Sequence, residues 1–191
     1  MNTHETIRLI PGESIGPLKL GMSPDEILNA LESIQFQWPP KGTTPVQVIE
    51  DRMFRPDGTR LIRYMNGGSA PVPFFFIVEY KDDHAAEISV NRDLSVVWEQ
   101  QMMRFVDFFA TPADILIPYL KYFSACICGS ADEDLGTEYI FPELGLRLWR
   151  EMAFHPKMLA DEAYMESIGE IILDEFKNVF FEIVSVRKIG G

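Results

Sequence analysis

Apolar positions along this chain fall into two rhythms, short runs or alternations typical of strands and wider helical spacings. Residues 7–20 hold two short apolar runs around Pro11-Gly12 and Gly16-Pro17, which predicts a small hairpin or bent edge strand. Ser23-Pro24-Asp25-Glu26 then opens a helix, with Ser as N-cap, Pro at the first helical position and Glu at the third. Ile27, Leu28 and Leu31 supply its buried stripe. Residues 37–45, with three prolines and Gly42, predict a loop. Strands at 46–54 and 61–65 flank Pro56-Asp57-Gly58, and strands at 74–80 and 85–91 flank Lys81-Asp82-Asp83-His84. Phe74-Phe75-Phe76-Ile77-Val78 is apolar at every position and predicts a central strand covered on both faces.

The second half echoes the first. Thr111-Pro112-Ala113-Asp114-Ile115-Leu116 matches Ser23 to Leu28 in cap, proline, acid and apolar pair, at an offset of 88 residues. Pro118 should kink or shorten this second helix. A hairpin at 138–141 and 146–150 turns on Pro142-Glu143-Leu144-Gly145, and 179–187 reads as a final strand. Two readings stand: a duplication with halves 1–95 and 96–191, or two unrelated helices with good caps, the simpler of the two. The expected fold is a single α+β domain, a mostly antiparallel sheet with a few packed helices.

One segment has a distinctive polar pattern. Glu162, Glu166, Glu170 and Asp174 stand four apart, with no Lys or Arg between Lys157 and Lys177. If 158–177 is one helix, the four carboxylates share a face, opposite Tyr164, Met165, Ile168, Ile171, Ile172 and Phe176. Neighbouring acids at this spacing repel by about 0.2–0.5 kcal/mol per pair, so a basic partner would relieve a cost that the chain carries alone.

Charge sharpens that expectation. The 191 residues carry a formal net charge of −12, divided as −4 over residues 1–95 and −8 over 96–191. Such a surface repels phosphate backbones and anionic lipids and attracts basic proteins. Nucleic-acid and membrane-surface roles are thereby disfavoured. No stretch reaches the ~20 apolar residues of a spanning helix, and residues 1–11 lack the apolar run of a signal peptide. The expected location is cytoplasmic. Cys126 and Cys128 flank Ile127, a poor spacing for a disulfide, and are expected as buried thiols.

Reaction chemistry is not legible. His4, His84 and His155 have no second histidine at ligand spacing, so neither metal nor cofactor is expected. Asp82-Asp83-His84 reads as a solvated turn, and His155-Pro156 as a residue serving a helix start. Asp132-Glu133-Asp134 lacks the alternation and Gly of a calcium loop and reads as a charged loop. No Gly-x-Ser-x-Gly is present, no cysteine context signals activation, and no catalytic residue can be nominated. Leu146-Arg147-Leu148-Trp149 sends the leucines to one face and Arg147 with Trp149 to the other, where both suit an interface if exposed.

Three stretches carry a family resemblance: Ile15-Gly16-Pro17-Leu18-Lys19-Leu20-Gly21-Met22-Ser23-Pro24-Asp25-Glu26, Tyr139-Ile140-Phe141-Pro142-Glu143-Leu144-Gly145-Leu146-Arg147-Leu148-Trp149-Arg150, and Phe180-Phe181-Glu182-Ile183. In these, less than a quarter of the chain, it resembles bacterial toxin-immunity-type proteins, the small cytosolic inhibitors encoded with polymorphic or contact-dependent toxins. The resemblance implies action by binding and transfers no catalytic residue. The leading expectation is therefore an acidic binding protein that neutralises a basic toxin domain by occlusion. Its contacts would be Glu162, Glu166, Glu170 and Asp174, then Trp149 and Arg147. The alternatives are a small-molecule enzyme or ligand-binding domain with a pocket between the halves, and a subunit that packs its terminal apolar face against a copy of itself.

Overall fold

Local signals in the first thirty residues produce the first elements. In the computed structural model, which describes residues 6–35, 46–51, 58–65, 75–92, 94–100 and 104–189, the Ser23 amide donates to Glu26 Oε2 at 2.8 Å. The Glu26 amide donates back to Ser23 Oγ at 3.3 Å, completing a capping box. The box starts α1 (Pro24–Gln35), whose Ile27 and Leu31 are buried. Before it lie β1 (Thr6–Ile10), β2 (Ser14–Ile15) and β3 (Leu18–Lys19), a small antiparallel turn-back as expected. After it, β4 (Gln47–Asp51), β5 (Arg60–Met65), β6 (Phe75–Lys81) and β7 (His84–Asn91) form an antiparallel meander.

The second half runs β8 (Ser95–Gln100), β9 (Arg104–Asp107), α2 (Ala113–Lys121), β10 (Ile127–Cys128), β11 (Glu138–Phe141) and β12 (Leu146–Trp149). A long connection holding α3 (Glu162–Ile168) and α4 (Ile172–Glu175) leads to β13 (Ile183–Arg187). These elements make an α+β fold of two mostly antiparallel sheets. The larger sheet has the order β10-β11-β12-β13-β7-β6-β5-β4, and the smaller β3-β2-β1-β8-β9. The predicted loop at 37–45, Pro56-Asp57 of the first hairpin and His4 lie outside the described residues.

The topology repeats. Each half gives strands of the smaller sheet, one helix, then four strands in meander order, and the two meanders join where β7 and β13 pair antiparallel. At that seam Val90 lies opposite Val184, and the Ser89 and Ser185 hydroxyls meet at 2.7 Å, both buried. The offset read from sequence is one residue out of step. β1 faces β8 with Thr6 opposite Ser95, and α1 and α2 begin at residues 24 and 113, both offsets of 89. Pro24 is the first residue of its helix. Pro112 instead stands ahead of α2 with extended backbone (φ −58°, ψ 148°) and no side-chain cap, so the helix begins one residue later. At 89, buried Ile27 and Leu31 correspond to buried Leu116 and Leu120.

One face of the large sheet is the core wall. Tyr139, Leu148, Val184, Val90, Phe76 and Tyr64 form a cross-strand row buried against Ile27, Leu31, Leu116 and Leu120 in one hydrophobic cluster spanning both halves. β6 is interior to the sheet as predicted, but only its Phe76, Val78 and Tyr80 face is buried. Ile77 and Glu79 on the other face are half-buried, because α1 and α2 pack on one side.

Candidate protein-binding surface

The repeat supplies its own comparison. In the first half, β6 passes to β7 through two residues, Asp82 and Asp83, both left-handed (φ 52° and 57°), a tight hairpin turn. The corresponding passage from β12 to β13 takes residues 150–182, thirty-three residues. The fold closes this connection with two residues in one copy, so the extra length in the other answers to something besides the fold. Residues 151–182 hold eight acids against two lysines, a formal charge of −6, half that of the whole chain.

Both ends of this connection are anchored. Arg150 is fully buried, and its guanidinium donates to three backbone carbonyls: Gly136 O at 2.9 Å, Asp134 O at 3.0 Å and Asn178 O at 3.1 Å. It also lies 5.4 Å from the centre of the Phe181 ring. No carboxylate among the described residues pairs with it, and burial draws its pKa below the ordinary arginine value. The Phe154 amide donates to Asn178 O at 3.2 Å, and the Phe154 ring meets Phe176 edge to face. His155 serves the turn start as expected, its Nδ1 accepting from the Lys157 amide at 3.1 Å. The Lys157 ammonium bridges Asp132 and Asp134 at 2.7 and 2.6 Å, and Lys121 pairs with Glu133. Each acid of the triplet 132–134 therefore has a lysine partner. Lys157 holds the Asp132 carboxyl below the usual carboxylate range.

The single helix expected over 158–177 does not form. A 3₁₀ turn (Pro156–Ala160) precedes α3, which Asp161 caps through the amides of Ala163 and Tyr164. α3 ends at Gly169, whose φ of +40° breaks the helical path. A 3₁₀ stretch (Gly169–Ile171), the one-turn α4 and another 3₁₀ stretch (Phe176–Val179) follow. The four-acid ladder on one helical face is thus corrected. Glu162 and Glu166 share a face of α3, whereas Asp174 sits on α4 beyond the break. Glu170 lies in the intervening stretch, and its side chain is outside what the structure describes.

The break also redistributes the apolar residues. Ile168 is buried and Tyr164, Met165 and Ile172 are half-buried, but Ile171 and Phe176 are exposed at 52% and 42%. Leu173, on no predicted face, is 80% exposed, and Met152 is also exposed. Glu162, Glu166 and Asp174 are exposed and have no ionic partner among the described residues. The segment therefore shows water both free carboxylates and large apolar side chains. Such loop-borne mixtures on a rigid scaffold are typical of contact surfaces.

The strand pair singled out from sequence behaves as its alternation requires. Leu146 and Leu148 face the core, while Arg147 and Trp149 point outward and are half-buried. Arg147 is committed internally, to Glu138 at 2.6 Å and Glu87 at 3.0 Å across the sheet. Trp149 sits between Glu138 and Ile183 on the neighbouring strands. Cys126 and Cys128 are free thiols, half-buried rather than buried because β10 is an edge strand. Asp82-Asp83-His84 forms the expected turn, with Asp83 paired to Arg60.

Among the described residues, no three His, Cys, Asp or Glu side chains converge as a metal site requires, and no helix is long and apolar enough to cross a membrane. Comparison with family models, curated proteins and solved structures returned no match to this chain. The class that fold and surface define is an α+β protein with a repeated meander and an acidic, partly apolar insertion.

Proposed function

We propose that this chain is an acidic binding protein that docks a basic protein through the 150–182 connection, as an immunity-type inhibitor docks its toxin. The observation that carries this reading is the set of exposed carboxylates Glu162, Glu166 and Asp174, without an ionic partner among the described residues, on a segment that the repeat does not need. Lys121 and Lys157 are occupied by Glu133, Asp132 and Asp134, which leaves Lys177 as the remaining lysine of a segment with eight acids. The local field stays negative, which speeds encounter with a cationic cleft, while desolvated apolar contacts set how long the complex lasts. Occlusion of the cleft then requires no chemistry from the inhibitor.

The test begins with the genes flanking this one: a toxin domain found there is co-expressed with the chain, and association of the purified pair is followed by stopped flow at several salt concentrations. Growth protection is expected, with an association rate that falls steeply with salt. Replacing Glu162, Glu166, Glu170 and Asp174 with Gln should slow capture by about ten-fold or more at low salt and flatten that dependence. A rate and salt slope unchanged by the four substitutions would exclude this segment as the steering surface.

A further inference from the structure

Charge alone does not describe what the connection offers. Leu173 is 80% exposed, Met152 54%, Ile171 52% and Phe176 42%, all within the segment that holds the free carboxylates. The contact of Phe176 with Phe154 brings the start of the connection, and Met152 with it, alongside its end. A partner with only cationic side chains would leave these apolar groups in water. Nucleic acid and anionic lipid headgroups carry the wrong sign. The complementary surface is an apolar centre framed by Lys and Arg.

Resting on the reading above, we infer that the connection is a docking surface for a cationic amphipathic segment of a protein. Leu173 and Phe176 are its apolar anchors, and Glu162, Glu166 and Asp174 its ionic frame. Anchors of this kind account for most of the lifetime of a complex, whereas peripheral charges mainly govern encounter. The two roles are therefore separable by substitution.

The test uses the full chain and two synthetic probes of equal charge, followed by fluorescence anisotropy at physiological ionic strength. One is a helical peptide with a leucine face and a lysine face; the other carries lysines without leucines. The amphipathic probe is expected to bind at least about ten-fold more tightly, an advantage of about 1.4 kcal/mol. Leu173→Asp should remove that advantage and leave the melting temperature unchanged, since the side chain is largely exposed. Tyr122→Asp, at an exposed position just after α2, should leave both probes as they were. Equal affinity of the two probes would overturn the inference while leaving electrostatic capture intact. Loss of binding through Tyr122→Asp rather than Leu173→Asp would overturn it by moving the contact to the C-terminal end of α2. If neither probe binds, the inference is overturned, whereas the broader reading is judged separately by toxin protection. Tighter binding to anionic vesicles than to the amphipathic probe would overturn it in favour of a membrane role.

Discussion

Substitution of Arg150 tests whether the acidic connection is held as the structure holds it. Arg150→Met removes donors from Gly136 O, Asp134 O and Asn178 O. Asn178 O keeps the Phe154 amide, and Asp134 O belongs to an exposed residue that water can reach. Gly136 O is buried, and leaving it without a donor costs roughly 1–3 kcal/mol. Against this, the fully buried guanidinium no longer has to be desolvated, a relief of several kcal/mol at most for a cation without a carboxylate partner. The two contributions are of similar size and opposite sign, so Arg150→Met should shift the urea midpoint little, by about 1 kcal/mol or less in stability. Arg150→Lys should do no better. An ammonium keeps the desolvation cost but cannot reach three carbonyls in the planar fork that arginine presents. Arg150→Lys is therefore the decisive variant, with an expected loss of about 1–3 kcal/mol read as a lower urea midpoint at unchanged slope; wild-type stability in it would refute the claim that this network pins the connection.

Other outcomes follow from the same contacts. Ser89→Ala and Ser185→Ala should each cost about 1–2 kcal/mol in urea unfolding by stranding the other buried hydroxyl, and the double variant less than their sum. Gly145→Ala should cost about 2 kcal/mol or more, because its φ is +57° and a Cβ would run into the Arg187 carbonyl and Gly12. Burial pushes the Cys126 thiol up to about 11, so it should react slowly with a disulfide reagent at pH 8, and faster once urea unfolds the chain. Bonds from Ser23 hold the Glu26 carboxyl below its ordinary pKa. Its contribution is therefore present above the ordinary value and is lost as pH falls through the lowered one; an NMR titration of Glu26 should show the downward shift, and Glu26→Gln should reduce the acid sensitivity of α1.

How much was legible in the sequence varied with the range of the signal. The capping box at Ser23 and Glu26, the Asp82-Asp83 turn and the Pro142–Gly145 hairpin depend on adjacent residues, and all form as read. The repeat stood in the sequence as one of two readings, beside two unrelated capped helices, and its offset was one residue out of step, because matching prolines stand inside one helix and ahead of the other. The helical wheel over 158–177 failed at Gly169, a residue that marks a possible break, and with it went the single acidic face. Exposure of Leu173 and Phe176 depends on that break and on the tertiary seat of the segment, so no periodicity could show it. Alternation along 146–150 places Arg150 on the face of Leu146 and Leu148, but it does not show what satisfies a buried guanidinium there. The carbonyls that satisfy it lie far along the chain, at 134, 136 and 178.

Hydrogen exchange on the chain, free and saturated with the cationic amphipathic peptide, reads the docking surface most directly. Slowed exchange is expected to concentrate in residues 161–177, with α1 and the β4 edge unchanged. Protection confined to α1, the outer side of α2 or β4, with 161–177 exchanging as in the free chain, would contradict it.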